Sequence, residues 1–205
     1  MTRGRFITFE GIEGAGKSTL LKSLAATLSG RGIPVCATRE PGGTPLAEEI
    51  RQLTLARRSD GMPATTELLL MFAARAAHVK QRIEPALARG EWVLCDRFTD
   101  ASRAYQGGGR GIDAAAIEAL AAIAHPQLSP DLTLLLDVPP ETGLARARGR
   151  ADGDRFEDET LAFFTRVRAH YLQLAQGEPQ RFRVLDATRN QAELLAAALP
   201  LVETL

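Results

Sequence analysis

The run Gly11-Ile12-Glu13-Gly14-Ala15-Gly16-Lys17-Ser18-Thr19 matches the pattern G-x-x-x-x-G-K-[ST], whose chemistry is phosphate binding. Its glycines let successive backbone N–H groups turn inward onto phosphate oxygens, and a helix starting behind them adds a dipole that favours an anion. Lys17 would neutralise charge on the β and γ phosphates, and the Ser18 hydroxyl would ligate Mg²⁺. The flanks suit this reading, with a short apolar run, Phe6–Phe9, just before the glycines and a helical stretch from Ser18 just after. Gly11, Ile12, Glu13, Gly14, Ala15, Gly16, Lys17, Ser18 and Thr19 are therefore the expected ATP contacts.

Binding a nucleotide leaves hydrolysis, transfer and switching open. A guanine-reading switch would carry an Asn-Lys-x-Asp segment late in the chain, and Asp186-Ala187-Thr188-Arg189-Asn190 lacks it. Transfer between nucleotides needs two facing anion sites and cations that cover the reacting phosphates. The chain has arginines for both. Arg97 follows a strand at its carboxyl end, where open α/β sheets bind ligands. Asp96 beside it could reach Mg²⁺ or its waters, or pair with Arg97, or cap a helix. Arg51 by itself reads as a surface helix arginine beside Glu48. Arg146, Arg148, Arg150 and Arg155 repel one another unless a polyanion compensates them, and otherwise form a solvated basic face.

Positioning these groups requires a scaffold, and the hydrophobic pattern indicates one. Phe6–Phe9, Val35–Thr38, Trp92–Cys95, Leu132–Val138 and Phe182–Leu185 read as strands. Between them Ser18–Gly30, Pro45–Leu55, Glu67–Arg89, Ala114–Ala124, Pro140–Arg148, Asp158–Gln176 and Gln191–Thr204 read as helices. That alternation predicts a parallel sheet with helices on both faces, as one domain over 1–205. Gly107-Gly108-Gly109-Arg110-Gly111 and the segment Arg146–Arg155 carry too much glycine or charge for core elements and are expected to be mobile loops over a site.

Bulk properties narrow the partners. The 205 residues hold 25 Lys plus Arg and 25 Asp plus Glu, a net charge of zero, which suggests neither a nucleic-acid coat nor a polybasic membrane binder. No stretch approaches the roughly 20 apolar residues of a spanning helix, and with no signal peptide evident a cytoplasmic protein is expected. Cys36 and Cys95 sit in apolar runs and read as reduced, buried thiols. His78, His125 and His170 lack metal-ligand spacing, so no zinc site is expected.

Further motifs resemble one family. Thr38-Arg39-Glu40-Pro41-Gly42-Gly43-Thr44, Asp96-Arg97-Phe98, Ala104-Tyr105-Gln106-Gly107, Pro130-Asp131-Leu132-Thr133 and Asp154-Arg155-Phe156-Glu157 look like bacterial thymidylate kinases, over about residues 5–190. The resemblance implies a P-loop NTPase fold with a five-stranded parallel sheet and a short lid at about 146–157. It implies ATP-dependent phosphorylation of dTMP to dTDP with Mg²⁺, in a homodimer. Another nucleoside monophosphate or deoxynucleoside kinase is the alternative, and a nucleotide switch stands behind both.

By motif position, the resemblance implies that Glu13 meets the deoxyribose 3′-OH and that Arg51 and Arg97 hold the acceptor phosphate. A guanidinium fork suits that task because it grips two phosphate oxygens at once. Arg75 would read a thymine carbonyl, with Ser102 and Gln106 around the same base. Tyr105 would press on the C2′ edge of the sugar and exclude a ribose hydroxyl. Arg150 would reach the transferring phosphoryl group from the lid, as fits a phosphate loop without arginine. Lys17, Arg97, Arg150 and Glu13 form the expected catalytic set, and Ser18 and Asp96 the expected metal ligands; Asp137 is a weaker acid left outside both. One position departs from the family pattern: the phenylalanine expected to stack on the base, four residues before Arg75, is Met71 here. Phe72 follows one residue late, and on a helix either shares a face with Arg75.

Overall fold

The chain forms a five-stranded sheet in the order β2-β3-β1-β4-β5. In this computed structural model, residues 3–147, 155, 156 and 158–205 are described. The strands are β1 (Phe6–Glu10), β2 (Val35–Arg39), β3 (Trp92–Asp96), β4 (Leu132–Asp137) and β5 (Phe182–Asp186). Every adjacent pair is parallel, with Phe9 opposite Asp96 across β1 and β3, and Glu10 opposite Leu135 across β1 and β4. The central strand β1 is buried throughout, as a strand covered on both faces must be, and its Thr8 hydroxyl is satisfied by Thr133 at 2.9 Å. The five expected strands are thus present, each within a residue or two of its expected bounds.

The helices among the described residues are α1 (Lys17–Gly30), α2 (Pro45–Leu55), α3 (Ala64–His78), α4 (Glu84–Ala88), α5 (Thr99–Ser102), α6 (Ala114–Ala124), α7 (Pro140–Ala147), α8 (Leu161–Gly177) and α9 (Gln191–Glu203). In α1 the i, i+4 set Leu20, Leu24, Leu28 is buried against the sheet. Thr44, Asp113 and Thr160 cap the first turns of α2, α6 and α8, and Asn190 with Glu193 forms a capping box on α9.

Four expectations need correction. The helix read over Glu67–Arg89 starts earlier, at Ala64, and its second half carries a widened π turn over Val79–Ile83. Pro85 lies just beyond that turn and has no N–H for the carbonyl four residues back, and the wider turn takes up the mismatch. The glycines Gly107, Gly108 and Gly109 are not a loop: Arg103–Gly109 is a π-helical segment against α8. There a Cβ on Gly108 would lie 2.6 Å from the His170 Cβ, and one on Gly109 would lie 2.5 Å from the Phe163 ring, so these glycines serve close packing and not mobility. Arg146 belongs to α7, where its guanidinium donates to the Ala187 carbonyl at 2.8 Å, so the basic segment is not loop from its start. Cys95 is buried and Cys36, on the edge strand β2, only half-buried; both are free.

Candidate functional site

The carboxyl ends of β1 and β3 face the start of α1, and the site is built there. Gly14 (φ +70°) lies so close to α7 that a Cβ would stand 1.9 Å from the Gly143 carbonyl oxygen. Gly16 (φ +91°) caps α1. This path wraps residues 11–16 into a loop whose backbone opens at the N-terminus of a long helix. Ile12 and Ala15 are buried and anchor the loop, whereas Ser18 and Thr19 are exposed at the first turn. Lys17 opens the helix, and its Nζ donates to the Ile12 carbonyl at 2.8 Å. Burial, and then the charge of Arg97, push its ammonium down to about 8.

Ser18 Oγ donates to Asp96 Oδ2 at 2.5 Å, bringing together the two residues expected at a metal. A hydroxyl and a carboxylate are hard oxygen donors, and their adjacency beside the loop fits Mg²⁺, which takes few protein ligands and completes its shell with phosphate and water. Among the described residues no group of three or more His, Cys, Asp or Glu is placed to hold a metal by itself.

Arg97 stands at the centre. It adopts φ +70°, a conformation uncommon outside glycine and of the kind held at ligand sites by its surroundings. Its Nη1 donates to the Gly11 carbonyl at 2.9 Å and reaches Tyr171 Oη at 3.3 Å; its Nη2 reaches Glu13 Oε1 at 2.9 Å and Tyr105 Oη at 3.0 Å. Tyr105 Oη in turn donates to Glu13 Oε2 at 2.5 Å. Beneath them Glu10 is fully buried, accepting from the Phe98 amide and from Tyr171 Oη, each at 2.7 Å. Burial and the neighbouring Asp100 push its carboxyl up to about 7.

Next to this cluster lies a cavity lined by Glu13, Arg51, Met71, Arg75, Arg97, Ser102, Tyr105 and Gln106 from the expected set. Arg75 is 3% exposed and clamped: Nε to Glu40 Oε2 at 2.7 Å, Nη1 to Ser102 Oγ at 3.1 Å, Nη2 to the Phe98 carbonyl at 3.0 Å. Arg51 donates to the Pro41 carbonyl at 2.8 Å, while Glu48, its expected partner, is taken by Arg39 and the Gly43 amide. The structure separates the two residues left to cover the base. Met71 lines the cavity; Phe72 turns into an apolar cluster with Leu68, Ile117 and Ala121, its ring 4.5 Å from the Arg75 guanidinium carbon.

Several lining residues carried no expected role. Glu40 is buried and binds both Arg75 and His78 Nδ1 (3.0 Å); burial alone would push its carboxyl up, but those two neighbours hold it below its ordinary value. Phe156 closes one wall, edge-on to Tyr105 at 5.8 Å. Glu40, Pro41 and Phe156 all sit in motifs that carried the family resemblance, which is the signal that would have found them. Asp137 is engaged by Arg168 in a two-pronged pair at 2.7 and 2.8 Å, away from any metal role. His125 is tied to Thr99 and the Leu128 carbonyl. Arg148 and Arg150 lie outside the described residues.

The sequence pattern of the thymidylate kinase family matches residues 9–198. The chain is 58% identical over 194 residues to the thymidylate kinase of Pseudomonas syringae pv. tomato, covering 95% of this chain and 92% of that protein. With the thymidylate kinase of Alcanivorax borkumensis the identity is 59% over 186 residues, 91% of this chain and 89% of that one. A crystal structure of the thymidylate kinase from Ehrlichia chaffeensis superposes with a TM-score of 0.80 at 33% identity, covering 98% and 99% of the two chains.

Proposed function

The chain belongs to the thymidylate kinase family and transfers the γ-phosphate of ATP to dTMP, giving dTDP and ADP, and from that premise we propose which residues perform each part. The observation that carries the assignment is the junction of two compartments at Arg97: the phosphate loop on one side, the cavity holding Arg75, Tyr105 and Gln106 on the other.

ATP binds along Gly11–Thr19, its phosphates replacing the Ile12 carbonyl as partner of Lys17. Ser18 and Asp96 would hold Mg²⁺, which would supply charge neutralisation for the reacting phosphates. The dTMP base enters the cavity over Met71 toward Arg75, Ser102 and Gln106, with its sugar beside Tyr105 and Glu13 and its phosphate toward Arg51 and Arg97. A phosphate oxygen of dTMP attacks the γ-phosphorus in line, so the chain needs no nucleophile of its own. Lys17 and Arg97 stabilise the charge that develops, with Arg150 added from the segment at about 146–157 that acts as the lid of a single domain over 1–205.

No helix among the described residues is long and apolar enough to cross a membrane. The free thiols Cys36 and Cys95 suit the reducing cytoplasm. A homodimer is supported by neighbouring helices that present large apolar side chains to solvent, Leu69 on α3 at 52% and Ile123 on α6 at 79% exposure. ADP release, measured with ATP and Mg²⁺ against dTMP, dUMP, UMP, dCMP, AMP, GMP and thymidine, tests the acceptor. Turnover with dTMP well above the others is expected; equal turnover with another acceptor would overturn the base and sugar assignments.

A further inference from the structure

We propose that Glu67 is the positioning residue for base selection, holding the Gln106 carboxamide in the one orientation that turns its oxygen to the cavity. The inference rests on the reading of that cavity as the dTMP site. Glu67, on α3, is fully buried and touches none of the space a base would occupy. Its Oε1 accepts from Gln106 Nε2 at 2.7 Å and Arg110 Nε at 3.4 Å, and its Oε2 from Arg110 Nη2 at 3.1 Å and Arg155 Nη1 at 2.8 Å.

A carboxylate whose two oxygens accept from Arg110 and Arg155 turns acceptors toward Gln106, so the NH₂ end of Gln106 faces it. The amide oxygen is left without a hydrogen-bond partner among the described residues, on a side chain that lines the cavity. A lone acceptor there welcomes a ring N–H, which thymine carries at N3 and cytosine does not. A carboxamide turned the other way would present NH₂ and favour the cytosine lone pair instead. Glu67 thus decides, without contact to the substrate, whether the pocket asks for a donor or an acceptor.

The same carboxylate also fixes a wall of the cavity. Arg155, held by Glu67, gives its Nε to the Thr54 carbonyl at 2.5 Å and sets the neighbouring Phe156 against Tyr105.

The test compares kcat/KM for dTMP and dCMP in the full chain and in Glu67→Gln and Glu67→Asp, by ADP release with ATP and Mg²⁺. Glu67→Gln allows either amide orientation at Gln106, and Glu67→Asp keeps the charge for Arg110 and Arg155 but withdraws by one methylene. Both are expected to lower the dTMP-to-dCMP ratio about tenfold through the KM of the acceptor, with the KM for ATP within about twofold of the parent. An unchanged ratio in a folded variant overturns the proposal, as does a parallel rise in both KM values, which would mark a merely structural role. Should Glu67→Gln not fold, Glu67→Asp decides. A parent enzyme with no preference for dTMP over dCMP overturns the underlying reading as well, and shows this before any variant is compared.

Discussion

Glu13 and Arg97 meet at 2.9 Å across the boundary between the phosphate loop and the acceptor cavity, with the Tyr105 hydroxyl hydrogen-bonded to both. An acid inside a phosphate cradle repels the ligand unless a cation holds it, and here the cation is the one proposed to receive the acceptor phosphate. The pairing keeps Arg97 extended and aimed before substrate arrives, which lowers the ordering cost of binding. Arg97→Lys preserves the charge but not the fork that reaches Gly11, Glu13, Tyr105 and Tyr171 together. Its kcat/KM for dTMP is expected to fall on the order of a hundredfold, with ATP binding changed far less, as steady-state kinetics would show.

Lys17 links nucleotide binding to protons. Its folded pKa of about 8 lies below the ordinary 10.5, so the unfolded chain holds this proton more tightly. The resulting cost to folding is full below pH 8 and fades as pH rises from 8 to 10.5. Phosphates restore the charged form, so ATP binding near pH 8.5 is expected to take up a fraction of a proton. Calorimetry in two buffers of different ionisation enthalpy reads this directly. Lys17→Met should abolish the uptake, cut turnover by about a thousandfold and raise unfolding stability by about 1–3 kcal/mol at neutral pH.

Glu10 shifts the other way. Its folded pKa of about 7 lies above the ordinary 4.5, so it opposes folding fully above pH 7 and ever less as pH falls from 7 toward 4.5. Glu10→Gln removes this term, and the drop in unfolding free energy from pH 5 to pH 8 is expected to be smaller than in the parent by about 1 kcal/mol or more. Urea titrations at the two pH values measure the difference.

Met71 lines the cavity where an aromatic ring could stack on a base. Met71→Phe is expected to lower the KM for dTMP about two- to fivefold with kcat nearly unchanged, since aromatic contact adds about 0.5–1.5 kcal/mol beyond area. Phe72→Leu, in the separate cluster, is expected to lower the melting temperature while leaving the KM for dTMP close to the parent's.

Gly109 tests the packing reading of the glycine run. A Cβ there would stand 2.5 Å from the Phe163 ring, whereas nothing lies within 4 Å of one on Gly111, whose φ is +77°. Gly109→Ala is expected to cost about 1–3 kcal/mol by overpacking and Gly111→Ala about 1 kcal/mol by backbone strain, measured by chemical denaturation.

Much of this protein was legible from local pattern. The strand, glycine loop and helix around Gly11–Thr19 are contiguous in the chain, and phosphate binding there is a property of the local backbone path, so composition and spacing sufficed. The strand runs Phe6–Phe9 and Trp92–Cys95 were likewise visible because strands buried on both faces must be apolar throughout. The resemblance of short motifs led to Arg51, Arg75, Arg97, Ser102, Tyr105 and Gln106, all of which the fold brings to one cavity.

Other features depended on neighbours distant in sequence. Gly107–Gly109 read as a mobile loop because glycine run lengths say nothing of the His170 and Phe163 side chains that press on them. Met71 and Phe72 were equivalent by helical spacing until the position of α6 made one of them core. Glu67 looked like any acid in a first helical turn, and only its burial against Arg110 and Arg155 gives it a role. The amino-acid sequence by itself determined the parallel α/β scaffold and the phosphate loop, because each follows from contiguous residues and backbone periodicity, and the resemblance of its short motifs implied the family of reaction. The tertiary structure alone decided which side chains share a carboxylate, which lysine holds its proton less tightly and which way an amide points, because these depend on distances between residues tens of positions apart.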